Sequence, residues 1–470
     1  MSQRNPEFQR QLWLNWRPSL LAWSLGLSLL ILTLPFALSS AKSLPGTLSM
    51  TAMAGLYLAA IVYGSVLAGR SLSEEASQNT WDWQRLSVLT PWQMAWGKLL
   101  GATLPAWLYV LWFALAVAGV THFWALEALK LQHTIGLAVL WGLGLQTWAM
   151  NSVLMSWGLR DRPINRRRAA LLPLLILFFA PGPFIDHVYK GMMDSDAAPV
   201  FWWGLDVGGL GLAYLAGALI LGLGLLGLWR QLCTRLDVHT LPWAWPLGLA
   251  LTGFFAAGTI NLGIAAFFSS TAWIALIGTA YVALQHMDQH LRAWRQVQWS
   301  VSRRRWREAL EALPLWPVSL LLGFAMALLL LFAPQSLEAA IRGELNRFTL
   351  YLCLHLLRDC LLLTGFALLA GKLKSPLASF VVAWLILNIA APLLAYGAGG
   401  HRGAMLVQPV VAMWMAPSDA ATQAGSWLSY LPWASLSLQT LVALAWVVHV
   451  FRDRVLGFAR DNAAARIRGS

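Results

Sequence analysis

The chain has 470 residues, of which 58% are hydrophobic and only 11% charged, less than half the roughly 25% of a soluble domain. A net charge of +13 raises nucleic acid as a partner, but the basic residues fall in short clusters between apolar runs. No connector is long enough to carry a contiguous basic surface, which excludes nucleic-acid binding. Twenty-eight tryptophans and 38 glycines fit the same class, since both residues are favoured in membrane proteins. The expected fold is all-α: a polytopic membrane protein of about twelve transmembrane helices plus a re-entrant or interfacial helix.

In chain order, apolar runs of roughly 20 residues fall near 18–40, 48–69, 99–120, 132–158, 169–185, 201–229, 241–263, 265–286, 315–335, 346–370, 377–397 and 430–451. The first lacks a small-residue cleavage site and reads as a retained span. The run 404–416 is too short to cross and follows Gly397-Ala398-Gly399-Gly400, read here as a tight reversal before a re-entrant helix. Gly204 and Gly208 make one GxxxG spacing, which fits close helix packing. Cys233, Cys353 and Cys360 show no metal or disulfide spacing, and the last two read as packing residues on one helical face.

Charge sets the orientation. The segments 1–17, 70–98, 159–168, 230–240, 287–314, 371–376 and 452–470 hold 26 of the 33 Lys and Arg, and only six fall on the opposite side. Both termini are therefore expected in the cytoplasm.

The first long connector, 70–98, has two helix-start signals: Ser71 with Glu74 at capping-box spacing, and Thr90 before Pro91. Trp81, Leu86 and Leu89 interleave with Glu74, Glu75 and Asp82, the pattern of an amphipathic helix. Such a helix either lies on lipid or docks a cytoplasmic partner. Glu74-Glu75, Asn79-Thr80-Trp81-Asp82, Leu89-Thr90-Pro91-Trp92 and Trp96-Gly97-Lys98-Leu99-Leu100 together resemble the ABC-2 type permeases, the membrane subunits of ABC exporters. The opening Asn5-Pro6-Glu7-Phe8 with Trp13 is similar too, while Asn79 stands where that family usually has glycine.

The resemblance implies a coupling helix within residues 70–89, seated in a cleft of a separate cytoplasmic ATPase subunit, itself a dimer. Glu74, Glu75, Thr80, Trp81 and Asp82 would then dock, and Gly97 and Lys98 would form the elbow into the third span. ATP and Mg²⁺ would belong to the partner, because this chain has no phosphate-binding loop and no catalytic set. The same resemblance implies a bacterial inner membrane as the location and a lipid-like, peptide or other amphipathic substrate.

Family members usually have six spans. The second connector, 287–314, ends in Leu313-Pro314 followed by Leu321-Leu322-Gly323, as the first ends in Leu89-Thr90-Pro91 followed by Leu99-Leu100-Gly101. The expected organisation is two six-span halves, 1–240 and 241–470. The second connector has Arg303-Arg304-Arg305 in place of the acidic pattern, so lipid phosphate is an expected contact there.

His355, Arg358 and Asp359 lie near the middle of a span, where charge is costly and marks either an interhelical polar network or a translocation path. His286 and His290 are four apart with Asp288 between them and could share a helical face, but the two histidines have no evident third metal ligand and read as an interfacial polar cluster. The segment Asp186–Asp196 reads as an external loop. Two other functions compete with the exporter subunit: a gradient-driven twelve-span carrier and a membrane-embedded lipid or glycan enzyme.

Overall fold

A computed structural model describes residues 5–78, 84, 89–124, 128–156, 200–236, 238, 240, 241–260, 263–285, 290–332, 339–407 and 431–457. It divides into two compact units, Met1–Thr240 and Leu241–Ser470.

The first unit opens with a short polar helix, α1 (Pro6–Asn15). Asn5 caps it by accepting the N–H groups of Glu7 (3.0 Å) and Phe8 (3.3 Å). The span α2 (Pro18–Leu38) follows. Next comes one long helix in three parts: α3 (Leu44–Tyr57), a π-helical stretch (Leu58–Tyr63) and α4 (Gly64–Ser77). Its apolar portion runs 32 residues, Leu44–Glu75. At 1.5 Å per residue that is about 48 Å against roughly 30 Å of hydrocarbon, so its polar end stands clear of the bilayer. Ser71 is therefore mid-helix rather than a cap, and its hydroxyl donates back to the Ala68 carbonyl (3.3 Å).

Thr90 and Pro91 do start a helix, α5 (Pro91–Ala102). Thr90 and Gln93 exchange the two bonds of a capping box, at 3.2 and 3.0 Å. The helix breaks at Thr103, and the span α6 (Leu104–Trp124) begins there rather than at residue 99. The span α7 (Ala128–Ser156) packs on α8 (Gly208–Arg235). Asn151 donates across this pair to the Gly224 carbonyl (2.8 Å). The core joins Leu72 of α4, Met94 and Leu99 of α5, Met150 and Leu154 of α7, and Leu228 and Leu232 of α8.

The expected start of a span at 201 is instead a hairpin of two short strands, β1 (Phe201–Trp202) and β2 (Leu205–Asp206). Trp203 and Gly204 take the positive φ angles a two-residue hairpin needs, and Gly208 at φ 62° opens the helix. These two glycines thus serve a turn and a helix start, not a packing face.

The second unit begins with α9 (Ala244–Ile260) and α10 (Gly263–Gln285), then the amphipathic α11 (His290–Ser302). The short α12 (Trp306–Ala312) meets the 17-residue apolar α13 (Leu315–Leu331) at an angle of 89°. Then come α14 (Ala339–Leu368), α15 (Pro376–Leu385), a π turn (Ile386–Ala390) and α16 (Ala391–Val407). The unit ends with α17 (Leu431–Phe451) and a π-helical Arg452–Leu456. Cys353 and Cys360 share one core with Leu276 of α10 and Trp316 and Leu320 of α13. Arg454 closes the end of α14 by donating to the Ala370 (2.7 Å) and Leu368 (3.3 Å) carbonyls.

Gly397–Gly400 is helical, so the expected reversal there does not occur. Glycine costs a helix about 1 kcal/mol relative to alanine, which neighbouring apolar residues can carry. Among the described residues nine helices are long and apolar enough to span a bilayer, ten if α12 and α13 count as one bent span. Nine of the twelve expected runs correspond to these helices; a tenth, 315–335, falls on the bent pair and 241–263 on the 17-residue α9. The run 169–185, most of 404–416 and the segment Asp186–Asp196 lie outside the described residues.

Candidate functional site

Two polar clusters stand out, one in each unit. In the first, the base of the 70–98 connector is tied to α1. Glu7, Arg10 and Gln11 share one face of α1 by their i, i+3, i+4 spacing. That face lies along α5, where Gly97 and Gly101 form the seat. A Cβ on Gly97 would come 2.7 Å from the Glu7 Cβ and 2.8 Å from the Phe8 backbone nitrogen, too close to tolerate. Gly97 is thus a helix-crossing position, and the elbow itself falls at Thr103.

Lys98, 1% exposed, reaches between two carboxylates. It pairs with Glu7 at 3.1 Å and with Glu75 of α4. Arg10 closes the square, binding Glu7 at 2.8 and 2.9 Å and Glu75 at 2.6 Å. Gln11 donates to Glu7 (3.0 Å) and Glu75 (3.1 Å), and Gln84 donates to Glu75 (3.2 Å). Asn5 donates to the Gln93 carbonyl (2.6 Å) and Asn15 to that of Gly101 (3.3 Å), so α1 is held along the whole of α5.

Two acids and two bases make the cluster neutral, which is how buried charge is tolerated. Burial alone would push the Glu7 carboxyl up; the Arg10 bond, the Lys98 charge and the Gln11 bond outweigh it and hold Glu7 at about 2. The bond to Glu7 raises Arg10 against the opposing effect of burial.

Of the expected docking residues, Glu75 is turned inward into this cluster, and Lys98 with it. Glu74 is on the outside of α4, paired with Arg70 at 2.6 Å. Thr80, Trp81 and Asp82 lie outside the described residues. Glu7, Arg10 and Gln11 were not picked out from sequence as site residues, although their spacing and the Gly97-xxx-Gly101 face were both readable.

The second cluster centres on Arg358, in the middle of the span Thr349–Leu368 and 1% exposed. Its guanidinium donates to Asp359 (2.8 and 3.0 Å), to Asn388 of the π turn (2.7 Å) and to Gln439 of α17 (2.5 Å). A His355 ring nitrogen lies at 3.3 Å. The second Asp359 oxygen accepts the Trp384 indole N–H at 2.9 Å, and His355 approaches it at 3.5 Å. The three sequence-predicted residues do come together, and Trp384, Asn388 and Gln439 join them. Asp359 balances Arg358, and the guanidinium's donors are directed at neighbours on three helical elements. This geometry is a cross-link between helices, with Nε, Nη1 and Nη2 each donating to a neighbour. The π turn matters here: it shifts the helical register so that Asn388 points at Arg358.

Among the described residues no group of three or more His, Cys, Asp or Glu could hold a metal. His290 is buried at the start of α11, and His286 and Asp288 lie outside the described residues. Comparison of the chain with protein-family models, curated proteins and solved structures finds no match. What the fold defines is a class: an α-helical polytopic membrane protein.

Proposed function

We propose that the chain is the transmembrane permease subunit of an ATP-driven exporter, worked by a separate cytoplasmic ATPase. The observation that carries this reading is the clamp at the root of the 70–98 connector. Glu75 at its start and Lys98 near its end are ion-paired to each other and to α1. A segment locked at its root passes a push to the spans Leu44–Glu75 and Leu104–Trp124 instead of yielding to it. In this reading Thr80, Trp81 and Asp82 meet the ATPase, with exposed Glu74 beside them, while Glu75 and Lys98 stiffen the base. The substrate is amphipathic or hydrophobic, and the two units are two six-span halves in a bacterial inner membrane with both termini in the cytoplasm.

Trp81→Ala and Asp82→Lys are expected to weaken co-purification of the ATPase by tenfold or more, the scale of losing a buried aromatic at an interface. Arg304→Glu in the second connector is expected to change it little. Purified without its partner, the chain is expected to hydrolyse no ATP. Full partner binding and full coupled ATPase activity in the first-connector variants would overturn the proposal. A gradient-driven carrier is the second reading, favoured by the Arg358–Asp359–His355 set at mid-span.

A further inference from the structure

The turn between α11 and α12 has a backbone that asks for glycine and holds arginine. The N–H of Arg305 bonds the Ser300 carbonyl (2.9 Å) and that of Arg304 bonds Val301 (2.9 Å). That pair of bonds is the Schellman helix ending, whose left-handed position is usually glycine. Here it is Arg304, at φ 58°. An arginine in this conformation costs backbone energy that glycine would not, so its side chain has a use outside the fold.

Its surroundings indicate that use. Arg303 lies over the Trp299 ring at 4.3 Å and Arg305 at 5.6 Å. Trp299 is exposed, as are Trp306 and Leu310, one turn apart on a single face of α12, while Ala309 of the same helix is buried. The 89° angle to α13 lays α12 across the axis of that helix, and so along the membrane plane. Glu308 and Glu311 are taken by Arg305 (3.2 Å) and Arg307 (3.3 Å). Among the described residues, Arg303 and Arg304 have no carboxylate partner. Arg295 donates to the Arg454 carbonyl (3.0 Å), which places this turn at the same end of the unit as the basic residues Arg452 and Arg454.

Exposed tryptophan and leucine on an in-plane helix, with unpaired guanidinium groups beside them, match the interface of a bilayer carrying negative charge. We infer that the α11–α12 turn is a docking surface for anionic phospholipid. Arg303 and Arg304 hold the headgroup phosphate, Trp299 braces the arginines, and Trp306 and Leu310 enter the acyl boundary.

The test uses the full chain, delipidated in detergent and offered equimolar phosphatidylglycerol and phosphatidylcholine in mixed micelles. Retained lipid is counted by native mass spectrometry. The wild type is expected to favour phosphatidylglycerol, less so at high salt. Each arginine removed in Arg303→Gln/Arg304→Gln is expected to cut that preference about fivefold. Arg304→Gly is expected to lower the preference while raising the unfolding temperature, which separates headgroup binding from damage to the fold. Equal retention of the two lipids by the wild type would overturn the inference, as would an unchanged ratio in the double variant. Displacement of the lipid by millimolar inorganic phosphate would also overturn it, by marking a site for the free ion. None of these readouts involves an ATPase, so the proposal stands or falls apart from the exporter reading.

Discussion

Replacing Lys98 with methionine keeps the volume of the side chain and removes its charge. Lys98 lies between Glu7 at 3.1 Å and Glu75 and is 1% exposed, so its loss leaves two buried carboxylates facing one guanidinium. Breaking a buried pair from one side costs about 3–5 kcal/mol. If that cost falls on the local docking of α1, its backbone amides should exchange with solvent at least about a hundredfold faster. The assay is hydrogen exchange by mass spectrometry on Pro6–Asn15 in detergent, with the α7 segment as internal control. Lys98→Met/Glu75→Gln removes one charge of each sign and should recover at least half of the lost protection. Protection in Lys98→Met equal to wild type would refute the reasoning, because it would mean the ion pairs contribute nothing to holding α1.

Acid should undo the same clamp. Glu7 is held at about 2 against an ordinary 4.5, so its contribution, on the order of 3 kcal/mol, is present above pH 4.5 and lost as pH falls toward 2; Glu7→Gln should flatten this window in thermal unfolding curves. Gly97→Ala should release α1 and lower the unfolding temperature, whereas Gly119→Ala, with nothing within 4 Å, should leave it unchanged or slightly raised. Arg358→Met should destabilise the second unit by several kcal/mol by stranding Asp359, and adding Asp359→Asn should restore much of the loss, both read from detergent unfolding.

Much of the fold is visible in the sequence because a bilayer demands long uninterrupted apolar helices, as in Pro18–Leu38 and Gly263–Leu284. Thr90-Pro91 is legible for a local reason, since cap chemistry acts within one turn. The Ser71–Glu74 spacing misleads because the helix is already under way from Gly64, and tertiary packing of Ala68 and Leu72 carries it through. Gly397–Gly400 misleads in the opposite direction: glycine permits a reversal but does not impose one. The clamp combines residues as far apart in sequence as Glu7 and Lys98, so no local pattern announces it, although the i, i+3, i+4 set on α1 is a visible half of it. Asn388 escapes notice as a lone polar residue in an apolar run, and Gln439 as one of several small or uncharged polar residues at the start of a span. Their significance appears only when Arg358 is seen to need acceptors.

The α1 clamp also sets an order of events during synthesis. Asn5 and its acceptor Gln93 are separated by 88 residues. At roughly 5–20 residues per second, α1 leaves the ribosome about 4–18 seconds before α5 exists to receive it. During that interval Glu7 and Arg10 have only each other, three residues apart on a short helix that is marginal alone in water. The bilayer surface is then the natural resting place for α1, with Trp13 and Leu14, both exposed in the finished protein, against the lipid. Docking follows once the hairpin of α2 and the long Leu44–Glu75 helix is in place and Lys98 arrives. The clamp thus closes after the first two spans are in place, and its closure precedes the third, Leu104–Trp124.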